Sequence, residues 1–313
     1  MSAPRARVVF LGSGGFAVPI LYRLGHHADV EVVGVVSTPA KPAGRKGMLM
    51  PVPVAAASRK RDLPLFQPAR IRDPDAIATI REIEPDLAVL ADYGQIVPQE
   101  LLDIPRRGFL NVHPSLLPRH RGATPIPSTI LEGDTETGVT LIQMDAGLDT
   151  GPIVAAERWP LEGNETSSEL EARAAGIGAD LLGKWIGPWL LGEVATTPQG
   201  EDGATLTRPL RRDDGALDVW LTADELERQV RAYQPWPGSF LETVAGRLVV
   251  WGATPAGQSG ETMPGTFGPG PDLRVATAGQ WLRLDEVQPA GGRRMPGDAW
   301  LRGRPAVAGS RIA

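Results

Sequence analysis

Short runs of Val, Ile and Leu bounded by turn residues dominate the first half of the chain. Arg7-Val-Val-Phe-Leu-Gly12 is an apolar run that stops in glycine, and Phe16 to Leu24 follows with apolar residues at helical spacing. The pair reads as strand, tight turn and helix. Glu31 to Val36, Asp86 to Ala91 and Gly108 to His113 repeat the strand pattern, with a helix predicted over Pro74 to Ile83 and a short segment over Pro98 to Leu102. Strands that are apolar at nearly every position are buried on both faces. Their alternation with helices predicts an α/β fold built on a mostly parallel, Rossmann-like sheet. Thr137 to Met144 and Ile153 to Trp159 read as further strands. A long helix begins near Ser167, with Thr166, Ser167 and Ser168 as candidate N-caps.

The pattern changes near residue 196. Residues 196–206 are polar and rich in turn formers, and read as a linker. Beyond them come one helix, Asp224 to Tyr233, and short alternating segments at Gly246 to Trp251, Leu273 to Thr277 and Trp281 to Glu286. Closely spaced short strands predict a smaller C-terminal β-barrel, OB-like in kind. The expected organisation is a catalytic domain over 1–195, a linker over 196–206 and a barrel over 207–313. A length of 313 residues agrees with two domains, because most domains hold about 100–200 residues.

Charge alters the picture of partners. The net charge of −5 weighs against a nucleic-acid partner, yet Lys+Arg against Asp+Glu is 16 to 11 over 1–121, 3 to 14 over 122–206 and 13 to 12 over 207–313. One acidic block therefore conceals a basic front, which permits an anionic partner. There is no cysteine, which excludes disulfides and thiolate metal sites. The first residues lead into a strand with no signal-type apolar stretch, so a cytoplasmic protein with no membrane partner is expected. A monomer is expected as well.

Candidate chemistry gathers after two strands. Gly12-Ser-Gly14-Gly15-Phe-Ala17 fits the loose dinucleotide fingerprint G-x-G-x-x-A, which keeps an NADP-dependent oxidoreductase open. The strand that follows ends Val36-Ser37-Thr38 without the acidic residue that holds an NAD ribose, and tight-turn packing is the preferred reading of the glycines. Asn111 and His113 lie two apart on a strand and so share a face, at the carboxyl end where open α/β sheets place their sites. Asp145 and Asp149 follow in a glycine-bracketed loop. A carboxylate beside an imidazole orients it for proton transfer. Asp145 is read as shaping a turn. With four histidines and no ligand-spaced pair among them, no metal is expected.

Taken together, Phe109-Leu-Asn111-Val-His113-Pro-Ser115-Leu-Leu-Pro118-Arg-His-Arg121-Gly-Ala-Thr-Pro125-Ile and the later Leu148-Asp149-Thr-Gly151 resemble the folate-dependent formyltransferases. The resemblance implies catalytic roles for Asn111, His113 and Asp149, and 10-formyltetrahydrofolate as co-substrate near Ser115, Leu116, Leu117 and Pro118. Ser37 to Val54 resembles the long loop by which one branch of the family approaches initiator methionyl-tRNA, which makes Lys41, Arg45 and Lys46 its tRNA-binding residues. Phe66-Gln-Pro68, Tyr93-Gly94-Gln-Ile-Val-Pro98, Asp218-Val-Trp220, Tyr233-Gln-Pro-Trp236-Pro237-Gly238 and Val250-Trp251 extend the likeness over nearly the whole chain. A sugar-nucleotide N-formyltransferase is the nearest alternative, and an idle RNA-binding protein on the same scaffold a more distant one. The chain departs from the family at Gly12-Ser-Gly14-Gly15-Phe16, usually G-T-P-[DE]-F, at Pro127, where Gln is common, and at Asp92, usually a small residue.

Overall fold

The computed structural model describes residues 4–43 and 48–312. Two compact units emerge from its contacts: residues 1–125, 136–160 and 171–207 form one, and residues 126–135, 161–170 and 208–313 form the other.

The first unit starts with β1 (Ala6–Gly12), α1 (Ala17–Gly25) and β2 (Val30–Val36). Gly12 is required where β1 turns toward α1, since a Cβ there would lie 2.9 Å from the Ala91 carbonyl oxygen and from the Ala17 side chain. A hairpin of β3 (Lys41–Ala43) and β4 (Met48–Met50) precedes α2 (Pro53–Arg59) and β5 (Leu65–Phe66). Next come α3 (Pro74–Ile83), β6 (Leu87–Ala91), α4 (Gln99–Leu102) and β7 (Phe109–His113). The chain continues through β8 (Arg121–Gly122), α5 (Pro125–Leu131), which beyond Pro125 groups with the second unit, β9 (Glu136–Gln143), β10 (Ile153–Pro160) and α6 (Ser167–Leu191), whose first residues also group with the second unit. β11 (Leu206–Thr207) pairs parallel with β8.

The main sheet has the order β10-β9-β7-β6-β1-β2-β5, parallel from β7 to β5 and antiparallel through β9 and β10. The expected mostly parallel sheet is present. Val8, Val9, Phe10 and Leu11 are all fully buried, as a strand covered on both faces must be. Thr166 caps α6: its hydroxyl accepts from the Glu169 N–H, and the Glu169 carboxylate accepts from the Thr166 N–H at 2.9 Å.

The second unit contains α7 (Ala223–Ala232), β12 (Ser239–Thr243), β13 (Gly246–Gln258), β14 (Arg274–Ala276), β15 (Gln280–Pro289), β16 (Met295–Pro296) and α8 (Gly297–Arg302). Its antiparallel sheet runs β12-β13-β15-β14, with β16 also on β15. Register shifts along β13 curl the sheet into a half-barrel around Leu226, Val250, Leu282 and Trp300. α8 and the short strands β12 and β16 were not foreseen from periodicity, because two to six residues carry too little pattern.

Candidate active site

Asn111 and His113 end β7 and are buried, at 5% and 4% exposure. β6 supplies one neighbour, with Leu90 opposite Asn111, and β9 the other, with Thr140 opposite His113. The turn between β9 and β10 brings in Asp149. Asn111 Nδ2 donates to Asp149 Oδ1 at 3.0 Å, and the Gly122 N–H donates to Oδ2 at 2.8 Å. His113 Nδ1 stands 3.6 Å from Asp149 Oδ2. The structure thus joins all three sequence-predicted groups in one cluster.

His113 Nε2 lies 2.9 Å from the His120 carbonyl oxygen. A carbonyl can only accept, so Nε2 carries the proton and Nδ1 is the ring atom turned to Asp149. At 3.6 Å, Nδ1 and the carboxylate are too far apart for a good direct hydrogen bond. The ring gains an ionic partner only when it is protonated. Asp149 has φ +54°, in the left-handed region, which Asp tolerates better than most residues. Asp145 accepts from the Gly147 N–H and the Thr150 hydroxyl, at 3.0 and 2.7 Å, and so shapes the turn.

Ser115 to Pro118 form the tight turn after β7. Ser115 Oγ donates to the Arg119 carbonyl at 2.7 Å, Thr140 Oγ1 donates to the Ser115 carbonyl at 2.7 Å, and the Leu117 N–H donates to Thr140 Oγ1 at 3.2 Å. The side chains of Ser115 and Leu117 are buried, and Leu116 packs over Gly138. The backbone of the turn is largely committed as well: the Ser115 N–H donates to the His113 carbonyl, and the Leu116 and Pro118 carbonyls accept from the N–H groups of Arg119 and Thr205. Lys41 is exposed in β3, while Arg45 and Lys46 lie outside the described residues.

Gln199 was not singled out from sequence. Gln199 Nε2 donates to the carbonyls of Asp149 and Gly151, both at 2.7 Å, and its Oε1 accepts from Arg121 Nε at 3.1 Å. No spacing signal marks a lone Gln in a turn-rich segment. Asp92 follows β6 with φ +45°, and its Oδ2 would lie 1.7 Å from a Cβ on Gly14. The glycine turn is therefore occupied by the Asp92 carboxyl group, which takes up the approach a pyrophosphate would need and argues against a dinucleotide. Asp92 is exposed at the end of β6. Its carboxyl is raised to about 7, first by desolvation, then by Glu171, with Lys41 opposing. Glu171 is itself raised by desolvation.

A surface cavity of about 650 Å³ lies elsewhere, lined by Arg7, Asp86, Glu100 and Arg106 among others. Arg7, Asp86 and Arg106 stand at or just before the amino ends of β1, β6 and β7, away from Asn111 and His113, and Glu100 is in α4. Among the described residues no group of His, Asp and Glu is arranged to hold a metal, and no helix is long and apolar enough to cross a membrane.

The chain belongs to the formyl transferase family, whose family model matches residues 6–185 while that of the formyl transferase C-terminal domain matches 209–305. Relatives named methionyl-tRNA formyltransferase include that of Chloroflexus aurantiacus, 42% identical over 95% of this chain and 96% of its own. Those of Myxococcus xanthus (98% of each chain) and Thermus thermophilus (98% of this chain and 99% of its own) are each 41% identical. Among solved structures, the N-formyltransferase of Helicobacter canadensis with folinic acid and dTDP-3-aminofucose covers 90% of this chain and 98% of its own, at TM-score 0.64 and 16% identity. HypX of Aquifex aeolicus in complex with tetrahydrofolic acid covers 95% of this chain and 47% of its own, at TM-score 0.61 and 16% identity. At such identities the solved structures speak for the fold.

Proposed function

We propose that this protein transfers the formyl group of 10-formyltetrahydrofolate to the free α-amino group of methionine carried by initiator tRNA, in the cytoplasm. The observation that carries this reading is the end-to-end likeness, at about 40% identity, to relatives named for that reaction. The clustering of Asn111, His113 and Asp149 supports it.

In the reaction a neutral amine forms a bond to the formyl carbon, the bond from that carbon to the folate N10 breaks, and one proton passes from the amine toward N10. Asn111 spends one amide N–H on Asp149, and its second N–H is the donor for the formyl oxygen as negative charge develops there. His113 is anchored through Nε2, so Nδ1 is the ring atom that holds or releases a proton beside Asp149. The Asp149 carboxylate faces the ring and helps draw the proton from the attacking amine.

The folate is assigned to the turn of Ser115 to Pro118. The fit to tRNA rests on Lys41 with Arg45 and Lys46, and on residues 207–313, where 13 arginines stand without a lysine and Trp220 and Trp236 are exposed. Catalysis is assigned to residues 1–195, and the protein is taken to act as a monomer. The test is an assay with 10-formyltetrahydrofolate and charged initiator tRNA. Formylmethionyl-tRNA is the expected product, and a dTDP-amino sugar should stay unmodified. Formylation of the sugar but not of the tRNA would overturn the reading.

A further inference from the structure

The polar stretch that reads as a linker is held against the catalytic loops along its length. Thr197 and Ile153 exchange backbone hydrogen bonds at 2.8 and 2.7 Å. The His120 N–H donates to Thr205 Oγ1 at 2.8 Å, and the Arg121 N–H donates to the Thr205 carbonyl at 2.9 Å. Thr207 Oγ1 donates to the Arg121 carbonyl at 3.0 Å and accepts from the Thr124 N–H at 3.0 Å. Gly122, with φ +102°, has no room for a side chain, since a Cβ would meet the Thr207 carbonyl oxygen at 2.4 Å.

Gln199 is the centre of this arrangement. Both N–H groups of its amide are committed to the Asp149 loop and its carbonyl oxygen to Arg121. It therefore ties the loop carrying the carboxylate to the loop carrying His120, which anchors His113, and Gly122, which donates to Asp149. Arg121 is buried at 7% exposure and extends the clamp to the Gly200 carbonyl and to Glu201 at 3.2 Å. Asp149 lies in a sparsely populated backbone region, which persists only when its surroundings fix it.

We infer that residues 197–207 form a strap for the active site, and that Gln199 is a positioning residue that sets Asp149 relative to Asn111 and His113. This deepens the proposed formyl transfer and rests on it for the kinetic consequence alone. Reaction rates fall steeply with misplacement, on the order of 100-fold for an ångström. Gln199→Ala removes the clamp, and Gln199→Glu keeps its size while setting carboxylate oxygens against two carbonyls.

The experiment uses the full chain. For Gln199→Ala and Gln199→Glu, we expect kcat for charged initiator tRNA to fall roughly 10- to 100-fold, KM for the folate to hold within about twofold, and the pH–rate profile to move. The NMR cross-peaks of the Asn111 side-chain amide, which donates to Asp149, should shift without substrate present. Thr205→Ala, which loosens the strap at His120, should shift them less. Unchanged Asn111 peaks and an unchanged pH profile in folded Gln199 variants would overturn the positioning role. Absence of formyl transfer by the unmodified protein would instead remove the proposed reaction, leaving the NMR comparison to judge the strap.

Discussion

Asp149 answers to several groups at once: Asn111 and Gly122 donate to its carboxylate, Gln199 donates to its carbonyl, and His113 Nδ1 faces it. Replacing Asn111, His113 or Asp149 with Ala should therefore cut kcat by about 100-fold or more, the scale of losing an oxyanion donor or an acid–base group. Circular dichroism should show the fold retained, and wild-type turnover in folded Asn111→Ala and Asp149→Ala would remove both from the mechanism. Asp92 makes a different demand. Its ordinary value of 3.8 is raised to about 7 in the fold, so folding takes up a proton between those limits. Stability linked to this group is greatest below about pH 4 and declines as pH rises through about 7. Asp92→Asn should accordingly raise the melting temperature relative to the parent at pH 8, with the difference closing toward pH 4. An equal difference at both pH values would show that the carboxyl is not under strain. Glu171 and Lys41, the charges that act on Asp92, stay in place in this comparison.

At the scale of elements, the hairpin β3–β4 carries the tRNA assignment. Lys41 is exposed at its start, and Met48, Leu49 and Met50 are exposed at 61, 69 and 49% on its return strand. An apolar surface of that kind beside cations suits a partner that offers both phosphates and stacked or hydrophobic groups. Arg45→Ala should weaken use of charged initiator tRNA strongly and leave folate binding unchanged. Loss of one phosphate contact should also lower the salt slope of tRNA binding by about one. Equal formylation rates for variant and parent from low to high salt would end the assignment. The hairpin also marks where sequence reading stops. Its strands are three residues each, and Pro42 and the nearby glycines read as loop. The long apolar runs around Val8 and Val89 were legible because burial on both faces leaves an uninterrupted pattern. In the site, Asn111 and His113 could be read from strand alternation. Asp149 needed the family motif, and Gln199 was invisible because turn chemistry and a tertiary hydrogen bond draw on the same polar residues.

On the scale of the whole molecule, chain order and spatial grouping differ, and this has a measurable consequence. Residues 126–135 and 161–170 come early in the chain but group with 208–313. There Arg228 donates to the Leu131 carbonyl at 3.1 Å, Arg231 donates to the Glu165 carbonyl at 2.8 Å, and Ser167 Oγ donates to the Ala232 carbonyl at 2.5 Å. A chain ending at residue 207 keeps Gln199, Thr205 and Thr207, hence the whole strap, but leaves these early segments without partners. One ending at residue 195 loses the strap as well. Each hydrogen bond exchanged for water costs roughly 0.5–1.5 kcal/mol, so the shorter chains should melt in the order full length above 207 above 195. The chain ending at 207 should still bind a folate analogue, and should bind initiator tRNA at least about tenfold more weakly if the arginines beyond it meet phosphates. Full tRNA affinity in that chain would move the whole tRNA surface to the first 207 residues. Equal melting temperatures for the chains ending at 195 and 207 would show that the strap adds nothing to the unit it crosses.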